Sequence, residues 1–63
     1  MNLKRDVTYQ SVFGCRQYKW DGLHIWTRTP GDIWHLAAGW PQPQMSKRDL
    51  EYYVSKGEFV EAE

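Results

Sequence analysis

Residues 15–28, CRQYKWDGLHIWTR, are two runs rich in aromatic and β-branched side chains divided by Asp21-Gly22. Asp-Gly is a favoured pair for a two-residue type I′ hairpin, because both central positions of that turn need positive φ. The sequence therefore predicts a hairpin with Trp20 opposite Leu23, Lys19 opposite His24, Tyr18 opposite Ile25 and Gln17 opposite Trp26.

Working outward, Thr29-Pro30-Gly31-Asp32 places Pro and Gly at the central positions of a type II turn. Closed as a four-residue loop, it pairs Arg28 with Ile33, Thr27 with Trp34, Trp26 with His35 and Ile25 with Leu36. Side chains alternate between the faces of a sheet, so these registers sort the residues. Tyr18, Trp20, Leu23, Ile25, Thr27, Trp34, Leu36 and Ala38 form the expected core face. Gln17, Lys19, His24, Trp26, Arg28, Ile33, His35 and Ala37 fall on the opposite one.

Upstream, Val7 to Phe13 reads as a strand that Gly14 interrupts, either as a bulge or as a turn between two strands. Downstream, Pro41 and Pro43 remove ladder donors, so residues 39–44 read as a connection. Ser46 then opens a helix to about Lys56. Ser is a preferred N-cap, Asp49 stands three residues on, Met45 and Leu50 occupy the staple positions, and Gly57 lies at the C′ site. Leu50, Tyr53 and Val54 make its apolar stripe. Residues 58–62, EFVEA, leave room for one short final strand. The expected fold is α+β: a three- to four-stranded antiparallel meander with one C-terminal helix packed on one face, all within a single domain, residues 1–63.

A chain of 63 residues is near the lower limit for a self-sufficient core, and its ten aromatic residues supply the area that size withholds. One cysteine, Cys15, cannot make an internal disulfide and suits a reducing compartment. MNLKRDVTYQ lacks a signal peptide's apolar stretch, and no run approaches the ~20 apolar residues of a membrane span. A cytoplasmic protein without membrane contact is expected. The formal net charge is zero. Residues 1–45 carry five cations against three anions, and residues 46–63 three against five. An even total argues against tight non-specific nucleic-acid binding, which feeds on basic excess.

Enzymatic chemistry finds little footing. Cys15, His24 and His35, spaced C-x8-H-x10-H, match none of the paired ligand patterns of zinc sites, so no metal is expected. The expected register sets the two histidines on one face of neighbouring strands, a diagonal step apart. Cys15 with His24 and Asp21 contains the residue types of a nucleophilic site, as many short sequences do. The glycines stand singly at turns and caps rather than in a phosphate-binding loop, so no cofactor is implied.

What remains is the face with Lys19, His24, Trp26, Arg28 and His35, the expected binding surface. Trp and Arg are enriched at protein hot spots, so the first expectation is a small non-enzymatic protein-binding module that regulates or inhibits a larger protein. A phage or other mobile element would suit so compact a chain, although no residue argues for it. The alternatives are a single-stranded nucleic-acid binder stacking bases on Trp26 beside Lys19 and Arg28, and a structural homodimer or larger homo-oligomer joined through its aromatic face. Equally open is that Trp26 and Ile33 are covered by the N-terminal strand, by the Trp40-Pro41 connection or by a homodimer mate, and are not a binding surface.

Overall fold

A computed structural model describes residues 3–62; Met1, Asn2 and Glu63, the ends of the expected 1–63 domain, lie outside the described residues. The fold is α+β. In chain order come β1 (Thr8–Ser11), β2 (Gln17–Trp20), β3 (Ile25–Arg28), β4 (His35–Leu36), α1 (Lys47–Ser55) and β5 (Phe59–Ala62). The sheet runs β4-β3-β2-β1-β5 and every neighbouring pair is antiparallel. The expected meander is thus four strands, and the final strand adds a fifth beside β1. Gly14 lies in the turn between β1 and β2, where the Ser11 N–H donates to the Arg16 carbonyl across 3.1 Å. No described helix is long and apolar enough to cross a membrane.

The hairpin forms with a longer loop than Asp21-Gly22 suggests. Trp20 pairs with Ile25, Lys19 with Trp26, Tyr18 with Thr27 and Gln17 with Arg28. Asp21 is the cause. Its Oδ1 accepts the N–H groups of Leu23 at 2.8 Å and His24 at 2.6 Å, and its own N–H donates to the His24 carbonyl. These bonds take Leu23 and His24 out of the ladder and into a four-residue turn. Gly22 turns at φ 104°, and a Cβ there would stand 2.9 Å from Arg5 Nε. Relative to expectation the register moves by two residues, which is one side-chain period, so β2 and β3 keep their faces.

The next connection moves by one residue, with the opposite result. Asp32 N–H donates to the Thr29 carbonyl at 3.0 Å and Gly31 takes φ 87°, as a type II turn requires. Ile33 then intervenes before the strand. Thr27 consequently pairs with His35 and Trp26 with Leu36. A one-residue slip exchanges the faces. Trp34, Leu36 and Ala38 therefore leave the expected core: Leu36 is 44% exposed and Ala38 is exposed, while Ala37 is buried with its N–H on the Ile25 carbonyl. Leu23, also expected inside, is 86% exposed in its turn.

One face of the sheet holds the core. Leu3, Tyr9, Tyr18, Ile25, Ala37 and Leu50 are buried, and Val7, Trp20, Met45, Val54 and Phe59 pack against them. Phe59 meets Tyr18 edge to face at 5.3 Å and Tyr53 at 6.0 Å. The N-terminal segment crosses this side, its Lys4 N–H donating to the Tyr9 hydroxyl at 3.0 Å. Thr27 is buried and fully engaged: Oγ1 donates to the Gln17 carbonyl at 3.0 Å and accepts from Arg16 Nη1 at 3.1 Å. Arg16 Nη1 also reaches Gln42 Oε1 at 3.3 Å, which ties the 39–44 connection to the same side.

Helix α1 follows its local signals. Ser46 Oγ accepts the Asp49 N–H at 3.1 Å. At the other end Gly57 at φ 80° donates to the Val54 carbonyl and Glu58 to the Tyr53 carbonyl, the paired bonds of a Schellman cap. Leu50 is its buried residue, with Val54 beside it and Met45 arriving from ahead of the cap.

Candidate functional site

The N-terminal segment, the connection and the helix all lie on the core side. The described contacts of these three elements are all with the core side, which leaves the other side of the sheet without a packed element among the described residues. The strand registers place two transverse rows of side chains on it: Leu36, Trp26, Lys19, Thr8 and Ala62, and beside them Arg28, Gln17, Gln10 and Val60. Trp34, one residue ahead of β4, reaches the second row at Arg28.

Trp34 is the centre of this surface. Lys19 Nζ lies 4.5 Å and the Arg28 guanidinium carbon 4.4 Å from its ring centroid. A cation over an indole is attracted by the negative face of the ring, worth roughly 0.5–2 kcal/mol depending on exposure. Arg28 is held from a second direction, Nε donating to Gln17 Oε1 at 2.9 Å. Gln17 Nε2 donates in turn to Gln10 Oε1 at 2.9 Å, and Gln10 Nε2 to the Gly14 carbonyl at 2.9 Å. The chain of amides fixes the guanidinium in position.

Trp26 is half-buried on the same face, opposite Lys19, and its Nε1 donates to Asp21 Oδ2 at 2.8 Å. Asp21 thereby closes the turn with one oxygen and aligns Trp26 with the other. The His24 N–H, then the Trp26 indole and the Leu23 N–H, hold its carboxyl well below the usual carboxylate range.

Of the expected binding residues, Lys19, Trp26 and Arg28 come together. The histidines do not join them. His24 is exposed in the turn at the end of the sheet and helps line a cavity of about 320 Å³ between β4 and the start of α1, with Leu36, Ala37, Met45 and Lys47. His35 pairs with the buried Thr27, so the slip caused by Ile33 turns it to the core side, where Nε2 lies 3.4 Å from Asp32 Oδ2. The expected diagonal pairing of the two histidines on one face is lost with it. Cys15 is exposed in the β1–β2 turn, at the opposite end of β2 from His24. Among the described residues no three His, Cys, Asp or Glu side chains gather as a metal site would require.

Trp34 is the site residue that the sequence reading assigned to the core. Pro30-Gly31 specifies the turn type but not how many residues follow before pairing resumes. A five-residue loop in place of four would have set Trp34 beside Arg28. Compared with protein-family models, with curated proteins and with solved structures, the chain matches none.

Proposed function

We propose that this protein is a small non-enzymatic protein-binding module, a regulator or inhibitor that occludes part of a larger protein, with the open sheet face as its contact surface. The observation that carries this reading is the half-buried group of Trp26, Trp34, Lys19 and Arg28 on one face of the sheet, margined by the exposed Leu36 and Val60. Rigid aromatics around an oriented guanidinium are what protein hot spots are built from, because they bring large contact area at small entropic cost. An exposed single cysteine fits the reducing cytoplasm in which such a module would work.

Cation number favours a protein over a nucleic acid. Only Lys19 and Arg28 are cationic among the strand positions of this face. Neutralising two phosphates of a single strand gives a salt slope of about −1.4, a small electrostatic contribution by the standard of dedicated binders. Capture from lysate of the source cells, read by mass spectrometry, tests the reading. A partner retained by the wild type and lost by Trp34→Ala, with the variant's fold intact, is expected. An identical captured set for the wild type, Trp34→Ala and Trp26→Ala would refute it.

A further inference from the structure

Among the described residues, Lys19 and Arg28 have no ion-pair partner. The ion pairs among the described residues are Lys4 with Glu61, His35 with Asp32, Lys47 with Glu51 and Lys56 with Glu58, and neither Lys19 nor Arg28 joins any. Arg28 commits Nε to Gln17, while its two terminal amino groups, like Lys19 Nζ, meet no acceptor among the described residues. No strand position on the open face is Asp or Glu. Asp21, at the end of the face by Trp26, already accepts three N–H groups. Two cations therefore share one indole with their outward hydrogen-bonding capacity free.

Such an arrangement selects its occupant. A second copy of this chain applied face to face would bring Lys19 and Arg28 against like charges, which opposes pairing through this surface. A partner bearing carboxylates reverses the sign. The guanidinium is already oriented by Trp34 and the Gln17 amide, so its fork meets a planar carboxylate with little further ordering.

We infer that the open face receives an acidic segment of another protein, whose carboxylates engage the free amino groups of Arg28 and the ammonium of Lys19 while neighbouring side chains pack on Trp34 and Leu36. This rests on the protein-binding reading above and adds the chemistry of the partner. The site is an electrostatic receptor with aromatic walls.

The test titrates the full chain with acetylated, amidated hexaglutamate and follows the indole N–H signals by two-dimensional NMR. Hexalysine and hexathymidylate serve as parallel probes. Saturable shifts at Trp34 and Trp26 with hexaglutamate alone are expected, weakened about tenfold by Arg28→Gln and by Lys19→Gln, and unchanged by Lys56→Gln on the helix side. Thermal midpoints of all variants confirm that they fold. Absence of saturable shifts, wild-type affinity in both face variants, or tighter binding of hexathymidylate overturns the inference, the last by assigning the face to nucleic acid. If hexaglutamate fails while the captured partner still depends on Trp34, the acidic chemistry is wrong and the protein-binding reading stands. If both fail, both fall.

Discussion

Leu50 and Leu23 are the same residue in opposite circumstances, and truncating each to alanine measures the fold directly. Leu50 is 0% exposed, in contact with the cluster of Tyr9, Tyr18, Ile25 and Ala37, whereas Leu23 is 86% exposed in the β2–β3 turn. Leu→Ala removes three carbons. At ~0.8 kcal/mol for each buried carbon, the lost transfer energy at Leu50 is about 2.4 kcal/mol, and the residual cavity raises the total toward ~3–5 kcal/mol. A domain of this length has ~3–9 kcal/mol of stability altogether. Leu50→Ala should therefore lower the thermal midpoint by ~12 °C or more, or leave the chain largely unfolded at room temperature. Leu23→Ala should stay within ~0.5 kcal/mol of the wild type, because its side chain is already in water. Urea and thermal unfolding followed by far-ultraviolet circular dichroism give both numbers under one protocol. A cost at Leu23 comparable to that at Leu50 would refute the four-residue turn, and an unchanged midpoint for Leu50→Ala would refute the packing of the helix on the sheet.

The remaining expectations address single devices. Ser46→Ala should cost ~0.5–2 kcal/mol through the Asp49 N–H it leaves without its cap, visible as a lower urea midpoint with an unchanged slope. Gly22→Ala combines an unfavourable φ with an approach of 2.9 Å to Arg5 Nε, so a loss of ~1–3 kcal/mol is expected. Arg5→Ala in the same background should recover the part due to the clash, and no recovery would leave φ as the whole cause. Asp21 contributes to acid stability. Its folded pKa is depressed, so its contribution is fully present above the ordinary carboxylate value of about 3.9 and is lost as pH falls from there toward the folded value. Midpoints measured from pH 5 down to pH 2 should fall less steeply for Asp21→Asn than for the wild type; parallel curves would dissociate the carboxylate from the turn.

How much was legible in the sequence differs from element to element for physical reasons. The helix was legible because its determinants are local: Ser46, Asp49, Leu50, Tyr53, Val54 and Gly57 each act on a neighbour three or four residues away. The faces of β2 and β3 were legible even though the expected turn was too short. Capture of the Leu23 and His24 N–H groups by Asp21 shifted the ladder by two residues, and a two-residue shift preserves which side chains point together. Lys19, Trp26 and Arg28 share a face for that reason.

The fourth strand was not legible. Nothing in TPGDI states whether Ile33 belongs to the turn or to the strand, and that single residue decides whether Trp34 is core or surface. The decision is made at a distance: Ala37 donates to the Ile25 carbonyl and accepts from the Met45 N–H, and Thr27 takes His35 as its partner. Leu3 and Tyr9 are a second case, since they enter the core only once the N-terminal segment folds back over the sheet and Lys4 bonds the Tyr9 hydroxyl. The sequence alone determined the helix, the presence of the strands and the shared face of three site residues, because each depends on near neighbours or on a period of two. Tertiary structure alone decided the contact of Trp34 with two cations and the face on which it lies, because a one-residue difference in a loop is settled by which distant backbone groups it allows to pair.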